Sequence, residues 1–221
     1  MSNLKILLII LVSIGLALFL IKRSIPVPVD QTQNQEPLKL MTPQSTAPTA
    51  PKQFSQAETV IDQSKTYTAA LHTSAGDIII QLDTQATPIT ANNFVFLAQQ
   101  GFYDQTIFHR VINGFMIQGG DPQGDGTGGP GYKFPDEPIT NEYDRGTVAM
   151  ANSGPNTNGS QFFIMHQNNP LPKNYVIFGH VIQGLEIVDA IASAPVVSGP
   201  NGEKSQPVSP VIINSVSLEI N

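Results

Sequence analysis

"FHRVINGFMIQGGD", residues 108–121, decides how this chain is read. Its apolar positions suit β-structure, and two short strands are expected over residues 107–112 and 115–118. The same stretch holds His109, Arg110 and Gln118 and runs straight into a glycine-rich loop. A permanent cation so close to Phe115, Met116 and Gln118 raises a chemical question that a purely structural strand would not.

Outward from this stretch the pattern stays mostly β. "TYTAALHTSAGDIIIQL", residues 66–82, reads as a hairpin about a turn at Ser74, Ala75, Gly76 and Asp77, with Ile78, Ile79 and Ile80 supplying β-branched residues. "PITANNFVFLAQQGF", residues 88–102, changes period: Pro88 suits a first helical turn, Phe94, Leu97 and Ala98 fall at helical spacing, and Gly101 closes the segment. Further strands are expected over residues 147–151, 161–165, 175–181 and 211–220, and a second short helix over 185–193 after Gly184. Many short strands with only two helices imply an antiparallel barrel or sandwich rather than alternating βαβ units.

Composition limits the chemistry. The chain has 221 residues, a formal net charge of -6 and only eleven Lys and Arg, so it lacks the basic face that nucleic-acid binding requires. It has no cysteine, which excludes disulfides, thiolate nucleophiles and zinc ribbons together. "GDGTGG", residues 124–129, matches a dinucleotide-binding pattern by letter, but Pro130, Tyr132, Lys133 and Pro135 follow where a helix should open, so it reads as a surface loop. Asp121, Asp125 and Gly126 imitate the start of a calcium loop, yet position 12 is Tyr132 in place of the bidentate Glu. Ser160 has no G-x-S-x-G frame, and His72, His109, His166 and His180 stand at no metal-ligating spacing. Neither a metal nor a cofactor is called for.

The amino-terminal part is of another kind. Residues 6–21 form an uncharged apolar run between Lys5 and the pair Lys22 and Arg23. The run approaches bilayer-spanning length once Leu4 is included and the flanking cations snorkel, and it lacks an A-x-A-like cleavage site. Residues 1–23 are therefore expected to be a retained transmembrane anchor or uncleaved signal. Residues 24–64, with Pro26, Pro28, Pro37, Pro43, Pro48 and Pro51 among Gln, Thr and Ser, are expected to be a disordered tether, leaving residues 65–221 as the folded domain.

Three blocks remain: the opening stretch, "MANSGPNTNGSQFFIMH" at 150–166, and "PLPKNYVIFGHVIQG" at 170–184. In this order and at these separations they resemble the cyclophilin family of peptidyl-prolyl isomerases, over residues 65–221. The resemblance implies an eight-stranded antiparallel barrel capped by two helices, and catalysis of rotation about X-Pro bonds in protein folding. Such a reaction needs a donor toward the prolyl nitrogen and a mould for the twisted amide, not a nucleophile or metal.

By the resemblance Arg110 is the catalytic residue, and Phe115, Met116, Phe163 and Leu171 line the proline pocket. Gln118, Asn152 and Gln161 hold the substrate backbone, and Ala151 leaves room for the residue before proline. Phe162 faces the core and His109 is structural. Tyr175 stands where many members carry a pocket histidine, and the chain contains no Trp, which many members have in the loop near 169–172. The implied partners are X-Pro-containing polypeptides, with membrane attachment through the amino-terminal helix, no nucleic acid and a monomeric chain. The domain is expected outside the cytoplasm of a bacterial cell. A tethered module that binds Pro-containing segments without turning them over is the alternative.

Overall fold

The computed structural model describes residues 52–199 and 201–221, so the expected anchor at 1–23 and the tether as far as residue 51 lie outside the described residues. Among the described residues no helix is long and apolar enough to cross a membrane.

Strands β1 (Tyr67–Thr73) and β2 (Gly76–Leu82) form the expected hairpin, joined at Ser74 and Ala75. Their alternation is strict: Tyr67, Ala69 and Leu71 point inward from β1, and Ile78, Ile80 and Leu82 from β2. Helix α1 (Pro88–Gln99) begins at its proline and ends before Gly101, whose φ of +59° turns the chain back so that Phe102 N–H reaches Leu97 O at 2.9 Å. No side chain at Thr87 caps its first turn. The buried carboxylate of Glu137 does so from a distance, accepting from Ile89 N–H at 2.9 Å, Thr90 N–H at 2.7 Å and Thr90 Oγ1 at 2.6 Å. A carboxylate there meets both the unpaired amides and the positive end of the helix dipole. Phe94 of α1 stacks on Tyr103 at 4.9 Å and meets Phe162 edge-on at 5.7 Å, so the helix closes one end of the core.

The strand expected over 107–112 is two strands. β3 (Thr106–Ile107) pairs with β11 (Ile212–Ile220), whereas β4 (Arg110–Ile112) pairs with β5 (Met116–Gly119). The change of partner happens at Phe108, whose N–H donates to Val211 O, and His109, whose N–H donates to Gln118 O. The remaining strands are β6 (Thr147–Met150), β7 (Phe162–Met165) and β8 (Ile177–Gln183), and every pairing is antiparallel.

The sheet therefore has nine strands, in the order β3-β11-β1-β2-β8-β6-β7-β5-β4, rather than the eight expected. Its two end strands are consecutive in the chain, and Ile107 bridges Asp121 just beyond β5, so the curled sheet is joined end to end by the opening stretch itself. Helix α2 (Leu185–Ala192) follows Gly184 as expected. Gly184 has φ +91° and a Cβ there would lie 2.3 Å from Asp77 O, so only glycine fits. A second, two-stranded sheet of β9 (Val196–Ser198) and β10 (Lys204–Pro207) was not expected.

The sequence boundary at 65 also shifts. Residues 52–64, read as the end of the tether, lie along the domain: Phe54 packs edge-on against Phe96 at 5.1 Å and its N–H donates to Pro130 O at 2.7 Å. Asn92 of α1 accepts from Val60 and Ile61 N–H and donates to Glu58 O. One aromatic anchor and these backbone bonds suffice to order a segment that its composition alone marks as extended.

Candidate active site

Strand register assembles the site. Arg110 on β4 stands opposite Gln118 on β5, Gln118 opposite Phe163 on β7, and Phe163 opposite Ala149 on β6. The next row holds Ile112, Met116 and Met165. Because side chains alternate along a strand, both rows share one face of the sheet. The opposite face, with Ile117, Phe162 and Ile164, belongs to the main core, which confirms the inward orientation expected of Phe162. A separate apolar cluster covers the first face: Met116, Tyr143, Ala149, Phe163, Met165 and Ile177, with Phe115, Leu171 and Tyr175 partly exposed at its margin. Phe163 is 5% exposed and meets the Tyr175 ring edge-on at 5.5 Å. The two hydroxyl-to-backbone bonds between Tyr143 and Tyr175, at 2.8 and 3.0 Å, fix the strand entrance that carries Tyr175. The apolar residues that the sequence nominated thus fall in one cluster, with Phe115, Leu171 and Tyr175 at its partly exposed margin.

Beside this slot runs a directional hydrogen-bond chain. Arg110 Nη1 donates to Gln118 Oε1 at 3.2 Å, Gln118 Nε2 donates to Gln161 Oε1 at 3.0 Å, and Gln161 Nε2 donates to Gly126 O and Gly128 O at 3.0 and 2.9 Å. Since Gln161 spends its amino group on two carbonyls, its oxygen must accept, and each amide upstream is oriented in turn. Both amino-group protons of Gln161 are engaged within the protein and its oxygen accepts from Gln118, so its side chain orients Gln118. The glycine-rich loop is the anchor: Asp121, 1% exposed, accepts from Gln123, Gly126 and Gly128 N–H and no helix opens there.

The Asn152 side chain is also bonded within the protein. Its Nδ2 donates to Asn174 O at 2.8 Å and its Oδ1 accepts from Gly154 N–H at 3.2 Å. Its backbone N–H and C=O carry no hydrogen bond among the described residues, so the main chain of Asn152 is the group free to meet an extended peptide. Ala151 precedes it, half-buried, and its N–H is held by Gln161 O at 2.9 Å. Gln118, Ala151, Asn152, Gln161 and the loop at 126–128 line a cavity of about 400 Å³. On the other side of Gln118, a cavity of about 380 Å³ runs past Arg110 and His109 towards Asn201 and Ser205.

His109, expected to be structural, borders the cavity beside Arg110. Both ring nitrogens are buried without a partner, and that burial holds its pKa below the usual imidazole value, with Asp121 only partly offsetting it.

One residue of the site escaped sequence reasoning. Glu203, at the end of the β9-β10 turn, accepts from Arg110 Nε at 2.6 Å and from Nη2 at 2.9 Å. The signal available was the Asn201-Gly202 pair between Val196, Val197 and the stretch at 204–207, a hairpin signature. The Arg110 guanidinium beside Glu203 holds its carboxyl down at about 2.

Residues 68–218 match the model of the family described as cyclophilin type peptidyl-prolyl cis-trans isomerase. The chain is 44% identical over 164 residues to a Mycobacterium tuberculosis protein described as a probable peptidyl-prolyl cis-trans isomerase B, covering 66% of this chain and 53% of that one. It thus spans about half the length of the mycobacterial relatives it matches. An Arabidopsis thaliana peptidyl-prolyl cis-trans isomerase is 46% identical over 157 residues, 68% of this chain and 95% of its own. Among solved structures, the Cryptosporidium parvum cyclophilin type isomerase superposes with a TM-score of 0.65 at 38% identity, over 71% of this chain and 99% of that one. A second crystal structure of that protein, in the presence of the dipeptide Ala-Pro, superposes with a TM-score of 0.64.

Proposed function

The chain belongs to the cyclophilin-type peptidyl-prolyl cis-trans isomerase family, and on that premise we propose that residues 52–221 catalyse cis-trans rotation about X-Pro bonds of polypeptides through Arg110. The observation that carries this reading is the Arg110 guanidinium bonded to Gln118 and 3.9 Å from Met116 Sδ, beside the apolar cluster of Met116 and Phe163 with Phe115, Leu171 and Tyr175 at its margin.

An X-Pro amide resists rotation by about 18–20 kcal/mol because its nitrogen lone pair is conjugated with the carbonyl. Twisting the bond returns the lone pair to nitrogen. A donor aimed there stabilises the twisted state and has little to offer the planar one, which is the condition for catalysis rather than mere binding. The slot holds the proline ring through apolar contact alone, so no hydrogen bond fixes its rotation. The main chain of Asn152 holds the segment before the proline while the ring side turns, and the orienting chain through Gln118 and Gln161 keeps Arg110 in place. No group here needs to form a covalent bond or bind a metal.

We place the domain outside a bacterial cytoplasm, tethered by residues 1–23 through the proline-rich segment; this rests on the apolar run flanked by Lys5, Lys22 and Arg23. Protease added to intact spheroplasts should remove the domain, and full protection would reverse the orientation. The chemistry is tested by NMR exchange spectroscopy on a short X-Pro peptide: added protein should raise the cis-trans exchange rate at substoichiometric amounts. Peptide binding with unchanged exchange would leave a tethered Pro-segment binding module in its place.

A further inference from the structure

We propose that Glu203 is the positioning residue of Arg110: its carboxylate grips the guanidinium side-on and leaves the Nη tips to face the slot. This rests on the reading of Arg110 as the catalytic group. Glu203 is not itself placed by a flexible side chain on a loose loop. Its backbone closes the β9-β10 turn, where Gly199 N–H donates to Glu203 O at 2.8 Å, Glu203 N–H donates to Asn201 Oδ1 at 3.0 Å, and Gly202 takes φ +79°. β10 packs on β4, the strand that begins with Arg110.

The donor count gives the grip its meaning. A guanidinium has five N–H donors in a rigid plane. Glu203 accepts from Nε and Nη2, and Gln118 accepts from Nη1. Of the other two donors, the second on Nη1 makes a long contact to Met116 Sδ at 3.9 Å and the second on Nη2 has no partner among the described residues. Met116 belongs to the apolar cluster, so the Nη1 edge of the plane is the one that abuts it. With Glu203 in the β9-β10 turn and Gln118 on β5 as two fixed acceptors, the guanidinium plane cannot rotate about its long, rotamer-rich side chain. Both partners are about one-third exposed, at 33% and 34%, so the pair is reachable by water and adds little to the stability of the fold. Its effect lies in orientation. Glu203 stays ionised throughout the neutral range, because the hydrogen bond from Arg110 holds its carboxyl far below ordinary values.

The test is a double-mutant cycle on kcat/KM for an X-Pro peptide, using the full chain. Glu203→Ala should lower kcat/KM roughly tenfold in the presence of Arg110, and should change nothing further in an Arg110→Ala background. Glu203→Gln, which keeps the volume and one acceptor, should fall between wild type and Glu203→Ala. The thermal midpoint should stay within a few degrees in each case, and the Arg110 Nε–H resonance, shielded by the carboxylate, should broaden on solvent exchange only when Glu203 is lost. Full or increased activity in Glu203→Ala, with Arg110→Ala inactive, would overturn the positioning role alone. An Arg110→Ala chain that is folded and fully active would overturn the catalytic reading and the positioning role with it.

Discussion

Arg110 and Gln118 stand directly opposite each other on β4 and β5, and Nη1 of the arginine donates to Oε1 of the glutamine at 3.2 Å. Gln118 can accept there only because Gln161 receives its amino group. Gln118→Ala should therefore release the guanidinium on one side and leave the Gln161 oxygen without its donor. A five- to thirtyfold fall in kcat/KM, about 1–2 kcal/mol, is expected with little change in thermal midpoint. Activity equal to wild type would show that Gln118 has no part in orienting Arg110.

Phe163 tests the slot rather than the donor. It is 5% exposed, packs among Met116, Ala149 and Ile177, and meets Tyr175 edge-on. Phe163→Ala should cost about 3–5 kcal/mol in urea unfolding, as large aromatic deletions from cores do, and should raise KM as well. Phe163→Leu, which keeps most of the volume, should recover stability more fully than substrate affinity.

A chain beginning at Lys65 should be less stable than one beginning at Lys52. The missing segment includes Phe54, packed against Phe96 and Phe102, and the backbone bonds to Asn92 and Pro130. Loss of the Phe54 contact alone is worth on the order of 2 kcal/mol of apolar burial. Equal denaturation midpoints for the two chains would mean that residues 52–64 only rest on the surface.

His109 should make the fold sensitive to mild acid. In the unfolded chain its imidazole titrates near the ordinary value of about 6.5. In the fold, burial lowers that value, against a partly offsetting attraction from Asp121 and with Arg110 acting in the same direction as burial. Between the two values the unfolded chain binds more protons. The contribution is thus fully present above about pH 6.5 and is lost as pH falls towards the lower folded value. Urea midpoints at pH 7.5 and 5.5 should differ more for wild type than for His109→Gln, and equal differences would contradict it.

Much of the site was legible because it is written in contiguous sequence. Arg110, Met116 and Gln118 lie within one hairpin, and Phe163 joins them through a register that one alternating strand dictates. Other parts depend on long-range placement. The break after Ile107 was hidden because both halves are apolar, and only the partner strands, β11 on one side and β5 on the other, divide them. Glu203 reaches Arg110 across ninety-three positions through a hairpin whose second strand, "KSQP", carries no hydrophobic alternation to announce it. For Asn152 and Gln161 the bonds that each amide makes within the protein depend on where Asn174 O, Gly126 O and Gly128 O fall, which no local pattern shows. The cap of α1 was likewise invisible, since Glu137 lies forty-seven residues beyond the Thr90 amide it accepts from.

The most direct test of catalysis by Arg110 is kcat/KM of the full chain on an X-Pro peptide for Arg110→Lys beside Arg110→Ala. Lysine keeps the charge but has no planar fork to bond Glu203 and Gln118 while a free tip faces the slot. Both variants should fall by about 10² to 10³, the usual cost of one preorganised transition-state donor, while thermal unfolding stays near wild type. A folded Arg110→Ala chain that still isomerises the peptide at the wild-type rate would contradict it.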